Sequence, residues 1–299
     1  MRSLSRRRLR LAGAYLVLLT GSHLVQHFNT KNVPSSDLRE VWIPVVDHGE
    51  VESRTIRLAY RDTAPDSAET PILLVHGSPG SSEVLRNLAG LLSPQFRVIV
   101  PDLPGFGSST HDLPDYSFEA HGGYLVELLD ALHVRKVQLV GFSMGGGVVL
   151  SMAHIAPQRV ASIVMLSAIG VQEHELTGSY AVNHFLHGAQ LAVLWLLRNA
   201  VPHFGLFSKL PLTMEYARNF YDSDQRPLRA VLEHYVGPML IIHGTNDRNV
   251  PIAVALEHHR IVPQSELVVF DENHFMAFMN PSLFLDPLTR FLNQSAALK

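Results

Sequence analysis

Eight short apolar runs, separated by stretches with helical spacing, constrain this 299-residue chain more than any other feature. The runs occupy 42–46, 55–60, 71–76, 96–100, 136–140, 161–166, 239–242 and 267–270. Helix-like stretches lie at 82–92, 118–132, 144–155, 252–261 and 283–293. Strands that are apolar throughout, rather than alternating, belong to a sheet covered on both faces. Right-handed crossovers then predict an α/β fold with a doubly wound, mostly parallel, eight-stranded sheet. Ligands bind such sheets beyond the carboxyl ends of the strands.

One interval breaks the rhythm. Residues 171–235 read as several helices without a strand, and we assign them to a helical cap inserted between two core segments, 41–170 and 236–299. The apolar stripe at 191–197 in this interval is expected to pack onto the body as core, with lipid or acyl-chain contact as its alternative.

The run at 136–140 leads into Gly141-Phe142-Ser143-Met144-Gly145, and a helical pattern follows at once. A serine on a tight strand-to-helix turn has strained backbone angles, so small residues are needed on either side; Gly141 and Gly145 supply them. The turn exposes the Ser143 hydroxyl and aims a helix N-terminus at it. A serine hydroxyl is a weak nucleophile near neutral pH, so it requires a base, and the base requires an orienting acid. His274 follows the last run and Asp247 follows the one before it, in Gly244-Thr245-Asn246-Asp247. The chain order Ser143, Asp247, His274 matches the Ser–acid–His order expected of this fold. Glu173, after the sixth run, competes for the acid role, and His243 is expected to stand behind the site. His76-Gly77-Ser78-Pro79-Gly80 follows the third run, and the backbone amides of Ser78 and Met144 are candidate oxyanion-hole donors. Asp102 is expected to brace its loop by bonding local amides, with Phe106 lining the site.

These loops, in this order, resemble those of the α/β-hydrolase family from about residue 71 to the C-terminus. The resemblance implies the Ser143–His274–Asp247 triad, an oxyanion hole from Ser78 and Met144, no cofactor and no metal. It also implies that the cap sets specificity. Ser143 argues against the aspartate-nucleophile branches, the haloalkane dehalogenases and epoxide hydrolases. The expected function is hydrolysis of a small-molecule carboxylic ester through an acyl-enzyme. C–C or amide bond cleavage on the same triad, and a non-catalytic ligand-binding role, remain as alternatives.

Charge and composition exclude other classes. The net charge is −3 without a long basic face, which gives nucleic acid no footing. The chain has no cysteine, hence no disulfide, thiolate metal site or thiol nucleophile. Oligomeric state is not legible.

The N-terminus departs from this pattern. Arg2, Arg6, Arg7, Arg8 and Arg10 precede an apolar stretch at 11–25. Residues 1–28 therefore read as a membrane anchor or an export signal, with membrane association through 11–28 and Thr20 and Ser22 suited to cleavage. An amphipathic surface helix is the alternative. The first two readings make the protein membrane-anchored or exported, its catalytic body extracytoplasmic (periplasmic if bacterial). Residues 29–40 read as a linker.

Overall fold

The computed structural model describes residues 2–29, 37–67, 69–206 and 213–297. Most of the linker assigned to 29–40 lies outside the described residues. One eight-stranded sheet organises the remainder. Its strands are β1 (Arg39–Asp47), β2 (Glu50–Asp62), β3 (Ile72–Val75), β4 (Val98–Pro101), β5 (Val137–Phe142), β6 (Val160–Leu166), β7 (Met239–Gly244) and β8 (Glu266–Phe270). The spatial order is β1-β2-β4-β3-β5-β6-β7-β8. Strand β2 pairs antiparallel with β1 and β4, and all the other neighbours are parallel.

The central strands are fully buried, and successive residues point to opposite faces. Leu73, Val75, Leu139, Ile163, Met165 and Ile241 join one core with α3 (Phe118–Ala131), α4 (Gly145–Ile155), α7 (Arg226–His234) and α8 (Ile252–Ile261). Ile72, Leu74, Val140, Val164, Leu166 and Ile242 join the other with α2 (Arg86–Leu92), α9 (Met276–Met279) and α10 (Leu285–Ala297). Helices on both faces explain why these strands read as unbroken apolar runs.

Between β6 and β7 the chain forms α5 (Tyr180–Ala200), α6 (Met214–Asp222) and α7, without a strand among the described residues. The stripe at 191–197 does not pack as core. Asn183 and His187 are the buried residues of α5, whereas Val193, Trp195 and Leu196 are each more than half exposed.

The N-terminal helix α1 (Arg2–Asn29) corrects the placement expected from the sequence. At 28 residues it is long enough to span a bilayer, but among the described residues no helix is both long and apolar enough to cross a membrane. Gly13, Thr20, Gly21, Ser22, His23 and Gln26 dilute its apolar stretch. Several of its polar groups instead meet protein. Ser22 Oγ, fully buried, accepts the N–H groups of His203 and Phe204 at 2.8 and 2.7 Å. His23 Nε2 lies 3.3 Å from the Asn199 carbonyl, and the Tyr15 hydroxyl donates to the Ala200 carbonyl. The membrane-anchored or exported placement, which rested on residues 11–28 as anchor or leader, is therefore withdrawn.

Candidate active site

Five loops converge at the carboxyl edge of the sheet, following β3, β5, β6, β7 and β8. Ser143, between β5 and α4, has φ +55°, a left-handed conformation that costs a non-glycine residue energy and persists only when its surroundings enforce it. They do so here through backbone bonds. Ser143 N–H donates to Leu166 O at 3.1 Å, and its carbonyl accepts from Gly146 and Ile169 at 3.0 and 3.1 Å. The flanking glycines are sterically required. A Cβ at Gly141 would stand 2.6 Å from Gly145 O, and one at Gly145 would stand 2.5 Å from Val75 O.

Ser143, His274 and Asp247 form one hydrogen-bonded chain. Ser143 Oγ lies 3.0 Å from His274 Nε2, and His274 Nδ1 lies 2.7 Å from Asp247 Oδ2. A carboxylate only accepts, so Nδ1 carries the proton and Nε2 receives the serine hydroxyl. The Asp247 side chain is wholly buried, and its Oδ1 accepts the amides of Asn249 and Val250 at 2.9 and 2.8 Å. Phe142 lies against the His274 ring at 5.1 Å between centroids. His243 stands behind: its Nε2 bonds Val250 O at 2.8 Å and lies 3.5 Å from Asp247 Oδ2. Burial pushes the His243 pKa down, favouring a neutral ring. Glu173, the competing acid, is exposed, ion-paired with Arg229, and makes no bond to His274.

The amides of Ser78 and Met144 donate to no acceptor among the described residues, although Met144 is fully buried. Buried amides without a partner are rare in folded proteins. One follows Ser143 directly and the other belongs to a half-buried residue lining the same cavity, so both can receive negative charge that forms there. His76 braces their loop: its Nδ1 lies 2.7 Å from Gly77 O, and its Nε2 accepts from Leu103 N–H at 3.0 Å. Burial lowers the His76 pKa, consistent with a neutral ring that donates on one side and accepts on the other. Asp102 accepts the amides of Ser82 and Ser108 at 2.6 and 2.7 Å. Phe106 does not line the site; it packs edge-on against His76, 5.6 Å between centroids.

A cavity of about 440 Å³ opens onto Ser143, His274 and Ser78. Its lining also includes residues that the sequence did not single out, notably Glu175, His187 and Arg248. Glu175 Oε1 lies 3.2 Å from His187 Nε2, and Oε2 accepts from Gln172 Nε2 at 2.7 Å. Burial pushes the Glu175 pKa up, but hydrogen bonds from His187 and Gln172 outweigh it and hold the carboxyl below its ordinary range. Arg248 had one sequence signal, its place next to Asp247. Glu175 and His187 had none, because only the tertiary fold brings them to the cavity.

Away from this cavity, Asp47, His48 and Asp115 bring possible metal-ligand atoms within 4.8 Å of one another. His48 is largely exposed, and Asp115 already accepts the Ser117 amide and hydroxyl ahead of α3 at 2.7 and 3.0 Å. The cluster serves that turn and points to no ion.

Comparison with known proteins bears on the family and the fold. A family model described as alpha/beta hydrolase fold matches residues 70–201. The 2-hydroxy-6-oxo-2,4-heptadienoate hydrolase of Pseudomonas putida is 30% identical over 230 residues, covering 68% of this chain and 81% of that protein. An uncharacterised protein of Mycobacterium tuberculosis is 28% identical over 256 residues, 74% of this chain and 75% of its own. Among solved structures, an esterase from Thermogutta terrifontis superposes with a TM-score of 0.67 at 23% identity, covering 87% of this chain and all of that one. At that identity the likeness speaks for the fold alone.

Proposed function

The chain belongs to the α/β-hydrolase family, and from that premise we propose that it is a serine hydrolase cleaving a small carboxylic ester through an acyl-enzyme. The observation that carries this reading is the bonded series Ser143–His274–Asp247 beside two unpartnered amides. Ser143 Oγ attacks the ester carbonyl while its proton passes to His274 Nε2. The carbonyl oxygen gains the negative charge and takes the amides of Ser78 and Met144. Collapse breaks the C–O bond, and His274 returns the proton to the leaving alcohol. Water then attacks the acyl group, giving its proton to His274, and the acid leaves as Ser143 is restored. Asp247 holds the imidazole in the tautomer that this sequence needs. Residues 171–235, inserted in a core of 41–170 and 236–299, act as the cap that closes the cavity and selects the acyl compound.

Replacement of Ser143 by Ala tests the reading. It should abolish both ester turnover and labelling by a fluorophosphonate probe, and labelling that persists elsewhere on the chain would refute it. C–C bond hydrolysis on the same residues is the second reading, favoured by the identity with a heptadienoate hydrolase. Assay of simple acyl esters against dienoate ketones separates the two.

A further inference from the structure

The cavity in front of Ser143 holds a polar pole that acyl transfer does not use. Glu175 lines this cavity, with its side chain only 15% exposed. Its two carboxylate oxygens take His187 and Gln172, and its carbonyl accepts from Asn183 Nδ2 at 2.8 Å. Gln172, Asn183 and His187 are themselves at least nine-tenths buried, so fixed groups hold the carboxylate from two sides and the Glu175 backbone from a third. Phe220, stacked on His187 at 5.4 Å, and Val171 supply apolar wall around it. A carboxylate in such a place is costly unless its lone pairs are met. Two donors meet two of about four lone-pair sites. A ligand that fills the cavity strips water from the others.

Resting on the serine-hydrolase reading and deepening it, we propose that Glu175 determines specificity by accepting a hydrogen bond from a hydroxyl or ammonium group that the substrate carries away from the scissile bond. A plain aliphatic chain leaves the carboxylate desolvated and short of a donor, and sites built to hydrogen-bond reject such analogues steeply. Charge alone does not choose between the two donors. Arg248 lines the same cavity without an ion-pair or hydrogen-bond partner among the described residues, and its positive charge offsets that of Glu175.

The test uses the full chain and nitrophenyl esters of a plain, an ω-hydroxy and an ω-amino acid, over several chain lengths. A matching series carries the donor on the alcohol side. The wild type should prefer the donor-bearing ester by about tenfold or more in kcat/KM in at least one series. Glu175→Gln should bring that preference down to about twofold, chiefly by raising kcat/KM for the plain ester, which no longer leaves a buried charge short of a donor. Glu175→Met, apolar and similar in length, should invert the preference. A larger gain for the amine than for the hydroxyl identifies a cationic substrate, and equal gains a neutral one. Absence of any preference in the wild type overturns the proposal. So does a variant that slows all esters equally, which marks a structural role. Fluorophosphonate labelling of Ser143 is run alongside. A labelled enzyme without donor preference overturns this inference alone, whereas an unlabelled Ser143 overturns the catalytic reading as well.

Discussion

Asp247 divides its carboxylate between two tasks: Oδ2 lies 2.7 Å from His274 Nδ1, while Oδ1 accepts the amides of Asn249 and Val250. The second task fixes the acid, so that the first can fix the base. An amide at 247 keeps the shape but can present NH₂ to Nδ1, which favours the tautomer with the proton on Nε2. Asp247→Asn should therefore lower kcat by about 10⁴ with KM nearly unchanged, as expected when a triad acid loses its charge. Glu173→Gln should leave kcat within about twofold, because an exposed pair with Arg229 contributes little. Steady-state kinetics on one ester decides between the two acids.

Two histidines make the fold acid-sensitive. His121 and His258 are fully buried, neither ring nitrogen of either has a hydrogen-bond partner among the described residues, and burial lowers both pKa values to about 3. An unfolded histidine titrates near 6.5, so between 6.5 and 3 the unfolded chain binds more protons than the folded one. Stability is complete above pH 6.5 and falls as the pH drops towards 3. At pH 5 the loss is of the order of 2 kcal/mol per histidine. Urea unfolding at pH 7.5 and pH 5 should show it, and His121→Leu or His258→Leu should each flatten the difference. An unchanged slope in both variants would rule out this origin.

The sheet was legible because central parallel strands bury both faces, and 72–75, 137–142 and 239–244 are buried throughout. Element ends were less so. Strand β2 runs from Glu50, well before the apolar run at 55–60, because its exposed end needs only β1 for pairing. Helix α2 starts at Arg86 rather than Ser82, since 82–85 is occupied by turns. Ser143, His274 and Asp247 could be found because each sits just beyond a strand end. Glu175 and His187 are separated by 12 residues that span the start of α5, and no local period links them. Apolar composition made the stripe in α5 read as core, although no element among the described residues covers Trp195 and Leu196 enough to bury them.

Ser22 ties α1 to the turn after α5. Its Oγ accepts two amides, from His203 and Phe204, in a fully buried position. Ser22→Ala removes the acceptor that these two amides share, and a buried donor left unmet costs about 1–3 kcal/mol. The penalty should appear as release of α1 rather than global unfolding, since neither sheet core includes it. Limited proteolysis should cut the variant faster within 2–29 while the remainder resists. Equal cleavage rates in the wild type and the variant would dismiss the tie.

Asp102 follows β4 and invites a catalytic role, yet its bonds face the loops. One oxygen takes Ser82 N–H at 2.6 Å, and the other takes Ser108 N–H at 2.7 Å. Its own carbonyl accepts the Ser109 hydroxyl at 2.6 Å, and that hydroxyl oxygen in turn accepts the Ala59 amide at 2.9 Å. These contacts join the loops after β3 and β4 to β2. Hydrogen bonds to a buried charge contribute about 1.5–3 kcal/mol each, so Asp102→Ala, which loses two, should destabilise the protein by roughly 3–6 kcal/mol. What folds should still carry the Ser143–His274–Asp247 chain, whose bonds do not include Asp102. Fluorophosphonate labelling per folded molecule should therefore stay within about threefold of the wild type, against the roughly 10⁴-fold fall expected for Asp247→Asn. A labelling loss as deep as that of the Asp247 variant, in protein shown to be folded by circular dichroism, would move Asp102 from the scaffold into the chemistry.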